Sequence, residues 1–396
     1  MQLHELMSSQ YSDNPFLLYR QLYEQGPLIQ AGEKVIISGC YGIVEALLND
    51  RRAGKDYMAS VRLRFGVDVA EQAVFRGISR MFLVMNPPEH SRIRGLIMKS
   101  FSTAEIQPLR EMAITVGNTL VDAFIDRGTC DLAQEFAFPL PIRIICRMLD
   151  VPESDAHKLG RAASAVVKVF DPQITQDDLA KAGEAFTTLY DYFNSLIVSR
   201  RGNTGDDLVS LFLRTENNGD RLQHDEIISN VILLFIAGHE TTSNMICNAV
   251  LGLHDNPQQL ALLQQDTALI PDAVTECLRY DSSVQMVYRT ALDDIDVQGH
   301  FIPRGTNLFL ILGAANHDPD KFTMPEVLSI RRKEGRSLSF GAGIHHCMGY
   351  RLALAEMEVA LQILLVRLPE MRPVISGVKH NHRANLRGVS SLPVIW

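Results

Sequence analysis

Leu338-Ser-Phe-Gly-Ala-Gly-Ile-His-His-Cys347-Met-Gly349 runs straight into YRLALAEMEVALQILL, residues 350–365. Glycines at 341, 343 and 349 permit a tight, irregular backbone that can pass close to a flat ligand. The segment that follows has helical periodicity, so Cys347 stands just ahead of a helix N-terminus. There the positive end of the macrodipole and free N–H groups favour a thiolate. A thiolate can ligate iron and donate electron density to it. A lone cysteine is more often a small buried hydrophobe, but the glycines and the helix argue for the ligand.

Other chemistries fit this stretch less well. A dinucleotide fingerprint needs G-x-G-x-x-G, and His346 stands where the third glycine is required. A zincin needs H-E-x-x-H, but after His239-Glu240 the second histidine position is Ser243. A zinc cluster of His345, His346 and Cys347 is disfavoured because adjacent side chains diverge, and no fourth ligand is evident. A Cys-His hydrolase with Cys347 as nucleophile stays open.

A second anomaly lies in residues 225–253, where VILLFIAGHETTSN opens an apolar run into Gly238, His239, Glu240, Thr241 and Thr242 before MICNAVLGL resumes. A helix apolar on most faces is normally buried. A Glu and two Thr in its middle are costly unless hydrogen-bonded or facing a wet cavity. Gly238 weakens the helix by about 1 kcal/mol against Ala, and it lets a ligand approach the backbone. The plainer alternative is a Thr–carbonyl back-bond that only bends a core helix. Leu233, Leu234 and Ala237 share the Thr241 face, and Thr242 points about 100° away from it.

Helical periodicity also marks 106–126, 178–200 and 351–368. Strand-like segments gather at Lys34–Ser38 and at 285–310. No repeat, low-complexity tract or flexible linker interrupts the 396 residues, so one mainly α domain over 1–396, with a long central helix and small β-sheets, is expected. The net charge of −8 argues against nucleic acid. The apolar stretch 231–238 is too short to span a bilayer. Six scattered cysteines without a C-x-x-C pair, and no visible signal peptide, suggest a soluble cytoplasmic protein.

Phe340-x-x-Gly343-x-His345-x-Cys347-x-Gly349 resembles the cysteine-ligand loop of cytochrome P-450 enzymes at every position. Glu276-x-x-Arg279 looks like the family's E-x-x-R ion pair, and Ala237-Gly-His-Glu240-Thr241-Thr242 is similar to its oxygen-activation motif. Asn86-Pro-Pro-Glu-His90-Ser-Arg-Ile-Arg94 resembles the entry to its third main helix, and LRGVSSLPVIW its ending. The likeness runs from about residue 14 to the C-terminus and is closest to soluble bacterial enzymes of polyketide, macrolide and acyl-chain oxidation.

The resemblance implies haem b (iron protoporphyrin IX) held by Cys347, with His90, Arg94, Arg289 and His345 on its propionates. It implies dioxygen as co-substrate, with Glu240 and Thr241 handling its protons, and hydroxylation or epoxidation of a hydrophobic small-molecule or carrier-bound substrate. To the pocket it adds Val284, Gln285, Met286, Val287, Val389, Ser390 and the 62–85 segment. With no flavin or nicotinamide domain, electrons from NAD(P)H are expected through a ferredoxin and its reductase, on a basic face drawn from Arg94, Lys99, Arg331, Arg332, Lys333 and Arg351. The departures are Asn86 for a usual Asp, Ser337 for a frequent His, Met348 for Leu, and Val327-Leu328 for Arg-Phe, which weakens the third partner of Glu276 and Arg279. A non-catalytic haem sensor and a peroxide-driven peroxygenase are the alternatives. The acid–alcohol pair at 240–241 argues against both.

Overall fold

A computed structural model of the chain describes residue 5 and residues 14–98, 103–202, 205, 207–214, 216–217 and 220–396. Helices dominate, and the sheets are small. No helix among the described residues is long and apolar enough to cross a membrane.

Backbone contacts group into two units, one of residues 1–53, 108–141 and 241–396, the other of 54–107 and 142–240. In the first, the strands Ile29–Gly32 and Val35–Ser38 form a hairpin whose turn uses Lys34 at φ 52°. Val35–Ser38 pairs in parallel with Asn307–Ile311, which pairs antiparallel with Met286–Ala291 in the register Phe309 to Tyr288. This confirms the strand-like readings near 34–38 and 285–310. The helix Pro15–Gln25 packs Leu18, Tyr19 and Leu22 against one apolar cluster of this sheet. Its start is set by Asn14, whose Oδ1 accepts from the Phe16 N–H at 3.2 Å, and by Pro15 in the first turn.

The helix expected over 106–126 runs Thr103–Asp122. It stops early because Ala123 and Phe124 donate to the carbonyls of Leu120 and Val121, a tighter winding, and Gly128 at φ 68° then turns the chain. In the second unit, Glu153–Val167 and Gln176–Arg200 pack as a helix pair. Gly77 makes room for the Phe186 ring, because a Cβ there would sit 1.9 Å from it. Phe193 meets Phe235 at 5.6 Å between ring centroids and so fixes the first half of the helix His224–Asp255. That central helix has 32 residues, about 48 Å of length.

Candidate active site

The cysteine loop folds as its glycines require. Gly341 and Gly343 sit at φ 67° and 66°, and a Cβ on Gly343 would lie 2.1 Å from the Leu48 carbonyl oxygen. The Cys347 N–H donates to the Phe340 carbonyl at 2.9 Å, closing the loop. The helix Tyr350–Arg367 starts three residues later, with Gly349 as its cap. Cys347 is half-buried, whereas Cys130, Cys146, Cys247 and Cys277 are buried. Burial pushes the Cys130 and Cys146 thiols up to about 12, so these remain protonated bystanders.

Two observations test whether the residues fit a haem. No group of three His, Cys, Asp or Glu able to hold a metal ion occurs among the described residues. A metal bound through Cys347 must therefore bring most of its own ligands, as a porphyrin iron does, and the zinc readings fall. The dinucleotide reading falls too, because no strand runs directly into Gly341. The second observation is Arg289 in the strand Met286–Ala291, only 5% exposed. Its guanidinium donates to the Tyr288 carbonyl at 2.9 Å and pairs with no carboxylate of the described residues. Burial alone pulls its pKa down to about 10. A buried cation without a counter-charge is unfavourable by several kcal/mol, and a ligand carboxylate would relieve it. The residues fit the group.

Behind this loop, Glu276 and Arg279 form the expected ion pair through two contacts of 2.8 Å, both side chains buried. The expectation of a weakened third partner is corrected. Arg332 supplies it, its Nε 3.1 Å from Glu276 Oε1, while Arg279 donates to the carbonyls of Asn316, Pro325 and Val327. Arg332 is thus withdrawn from the expected basic face, and Lys333 there is paired with Asp272 at 2.6 Å. Lys99 lies outside the described residues.

The central helix bears the sharpest signal. From Ile227 to Val250 every residue is buried except Ala237, Gly238 and Thr241, which lie along one face. Glu240 is buried beside them. His239 Nδ1–H donates to the Phe235 carbonyl at 2.8 Å. Burial lowers its pKa, which outweighs the opposing pull of Glu240, so the ring is neutral and Nδ1–H is the donor. Thr242 is not idle: it hydrogen-bonds Glu356 of the helix Tyr350–Arg367. Glu356 is buried, its Oε2 has no partner among the described residues, and burial pushes its pKa up to about 8. Sequence reasoning passed over this residue. The signal was present, since Glu356 follows Leu352 by four and precedes Val359 by three on the apolar side of its helix.

In the second unit, His90 is buried, its ring 6.1 Å from Phe82, and Arg94 lies 6.0 Å from the same ring. Asn86 clamps Lys55: Oδ1 accepts from its N–H at 2.8 Å, and Nδ2 donates to its carbonyl at 2.6 Å. An Asp could not make the second bond. Leu233 and Leu234 are buried on the central helix.

Several of the expected pocket residues have partners within the protein. Gln285 turns to the N-terminal helix, accepting from the Tyr19 hydroxyl and donating to the Ser282 carbonyl at 2.7 Å, because a buried amide needs partners. Met286 joins the apolar cluster of Leu18 and Tyr19. Ser390 is exposed and donates to Lys379 O at 3.2 Å. Val284 and Val287 stay half-buried beside the sheet core, and Val389 is buried. His345 is half-buried in the turn Gly343–His345 that leads to Cys347.

A cysteine loop ahead of a helix, a buried E-x-x-R pair and an acid–alcohol step in a long buried helix together define a haem-thiolate enzyme. The sequence model of the family described as Cytochrome P450 matches residues 64–369, and the chain belongs to that family, whose members are haem monooxygenases using dioxygen. It is 50% identical over 396 residues to "Putative cytochrome P450 133B1" of Xylella fastidiosa (strain 9a5c), covering 100% of this chain and 98% of that one. It is 31% identical over 398 residues to "Polyketide biosynthesis cytochrome P450 PksS" of Bacillus subtilis (strain 168), covering 97% and 96%. Among solved structures it is similar to P450BioI in complex with hexadec-9Z-enoic acid ligated acyl carrier protein, with TM-score 0.91, 31% identity and 98% and 99% of the two chains covered.

Proposed function

We propose that this cytochrome P-450 oxidises a hydrophobic or amphipathic substrate of polyketide, macrolide or fatty-acyl type, free or attached to a carrier protein. Electrons would come from NAD(P)H through a separate ferredoxin reductase and ferredoxin. The observation that carries the reading is the accessible line Ala237, Gly238 and Thr241 in an otherwise buried helix, next to Glu240. It provides an apolar approach ending on a hydroxyl and a carboxyl. The PksS name and the acyl-carrier complex of P450BioI support the substrate class.

Cys347 Sγ would hold the haem iron, and Arg289, His345, His90 and Arg94 its propionates. When bound, the haem supplies dioxygen activation and the oxidising power for a C–H bond or a double bond. The chain's own residues supply the rest. Leu233, Leu234, Ala237, Val284, Val287 and Val389 would orient the substrate and exclude water. The Thr241 hydroxyl would place a proton beside the reacting oxygen, and Glu240 would pass protons in from solvent. Glu356, with a pKa of about 8, keeps a proton on its carboxyl at neutral pH.

The test is a titration of the ferric holoprotein with hexadec-9Z-enoic acid, free and as its acyl-carrier thioester, alongside macrolide and terpenoid compounds. Acyl or polyketide ligands are expected to move the haem from low to high spin, followed by product formation with NAD(P)H, ferredoxin and reductase. A spin change with terpenoids alone, or with nothing in the series, refutes the substrate class.

A further inference from the structure

Beyond Thr241, the same side of the central helix carries two buried amides, Asn244 and Asn248, three and seven residues on. Each reaches away from its own helix. Asn244 Nδ2 donates to Ser283 Oγ at 3.3 Å, and its Oδ1 lies so close to Gly388 that a Cβ there would sit 2.1 Å away. Asn248 Nδ2 donates to the carbonyls of Asp281 at 3.1 Å and Arg387 at 3.4 Å. Met245 Sδ accepts from the Ser283 N–H at 2.9 Å.

The segments these side chains touch are also bound to each other. Arg387 N donates to Ser283 O at 2.7 Å, Gln285 N donates to Asn385 O at 2.9 Å, and Val284 bridges to Leu386. Arg387 Nε pairs with Asp281 Oδ1 at 2.6 Å. A core that needed only filling would use aliphatic side chains there. Directional bonds from a helix to two chain segments fix register, which apolar packing does not.

We propose that Asn244, Asn248 and the Asp281–Arg387 pair are positioning residues. They tie segments 281–287 and 385–389 to the helix that carries Thr241, and so set how Val284, Val287 and Val389 shape the substrate space. The proposal rests on the reading that these valines face substrate. The clamp does not touch the substrate. It acts through the valines, and its loss alters which ligand shapes are accepted rather than whether haem is held.

The experiment compares two iron-ligating probes on the full-length holoprotein. Imidazole is small enough to report the iron alone, and 4-phenylimidazole carries an arm that reports the surrounding walls. Asn248→Leu is expected to change the Kd for 4-phenylimidazole by about tenfold, the scale of a methylene-sized misfit in an apolar pocket, and to leave the Kd for imidazole unchanged. Arg387→Lys carries the same test should Asn248→Leu not accumulate as holoprotein. His254→Leu is the control for lost stability alone, since His254 bonds the carbonyls of Val250 and Met371 at 2.8 and 2.6 Å. It is expected to lower the melting temperature without moving the ratio of the two affinities. A constant ratio in the clamp variants, or an equal change in His254→Leu, overturns the proposal. If imidazole does not perturb the wild-type spectrum at all, it is the haem reading that fails.

Discussion

Glu356→Gln is the perturbation whose consequence can be worked furthest from the structure. The Glu356 carboxyl has an ordinary value of 4.5 and is pushed to about 8 by burial, with the Thr242 hydrogen bond opposing the rise. Below pH 4.5 both folded and unfolded chains carry the proton, and the residue makes no pH-dependent contribution. Between pH 4.5 and 8 the unfolded chain has released it and the folded chain has not, so folding takes up a proton and stability falls as pH rises. Above pH 8 the loss is complete, at most about 5 kcal/mol. For a chain of 396 residues that is about 6 °C in melting temperature. Glutamine keeps the shape and removes the titration. The assay is unfolding of wild type and Glu356→Gln from pH 5 to 9, monitored by circular dichroism. The wild-type curve should fall away from the variant's as pH rises, with most of the divergence complete by pH 8. Parallel curves would show that the carboxyl is already ionised at neutral pH and that the burial argument is wrong.

Thr241→Ala should keep haem and NAD(P)H consumption yet divert electrons to hydrogen peroxide, and Glu240→Gln should slow turnover on the order of 10²-fold; unchanged product per NAD(P)H in Thr241→Ala removes the hydroxyl from the proton path. Thr242→Ala perturbs Glu356 and therefore is not a silent control. Arg289→Leu should speed haem loss by about 10- to 100-fold, one charge-assisted hydrogen bond's worth. It should leave the apoprotein at least as stable, since no carboxylate of the described residues loses a partner; an apoprotein weakened by the change would mean that Arg289 serves the fold instead. Asn86→Asp should cost about 1 kcal/mol by removing the bond to the Lys55 carbonyl and setting a carboxylate against it; calorimetry showing equal or greater stability would contradict that.

What could be read from the sequence was whatever is local along the chain. The Cys347 loop carries its own glycines and its own helix, and Glu276 and Arg279 stand one helical turn apart, so spacing alone announces them. Buried Glu240 stood out because it belongs to a short polar step that interrupts an apolar run. What the sequence did not show shares a cause, which is that partners distant in sequence decide it. Arg332 reaches Glu276 only through the path of the chain between them, so the loss of Arg at 327 looked uncompensated. Gln285 came to the pocket through the resemblance, and nothing local in the sequence shows that its amide meets Tyr19. Ser390 takes the exposed side of the short strand Val389–Ser391, and the sequence does not say which side of so short a strand is exposed. Glu356 was visible by periodicity but sat in a helix already explained by its neighbour Cys347.

The central claim is that Cys347 is a thiolate ligand to haem iron. The most direct measurement is the absorption spectrum of the dithionite-reduced protein under carbon monoxide, for wild type and Cys347→His. The wild type should show the strongly red-shifted Soret band of a thiolate-ligated haem, and Cys347→His should replace it with the band of a histidine-ligated one. A wild-type spectrum like that of a globin, or a red-shifted band that survives in Cys347→His, would contradict the account.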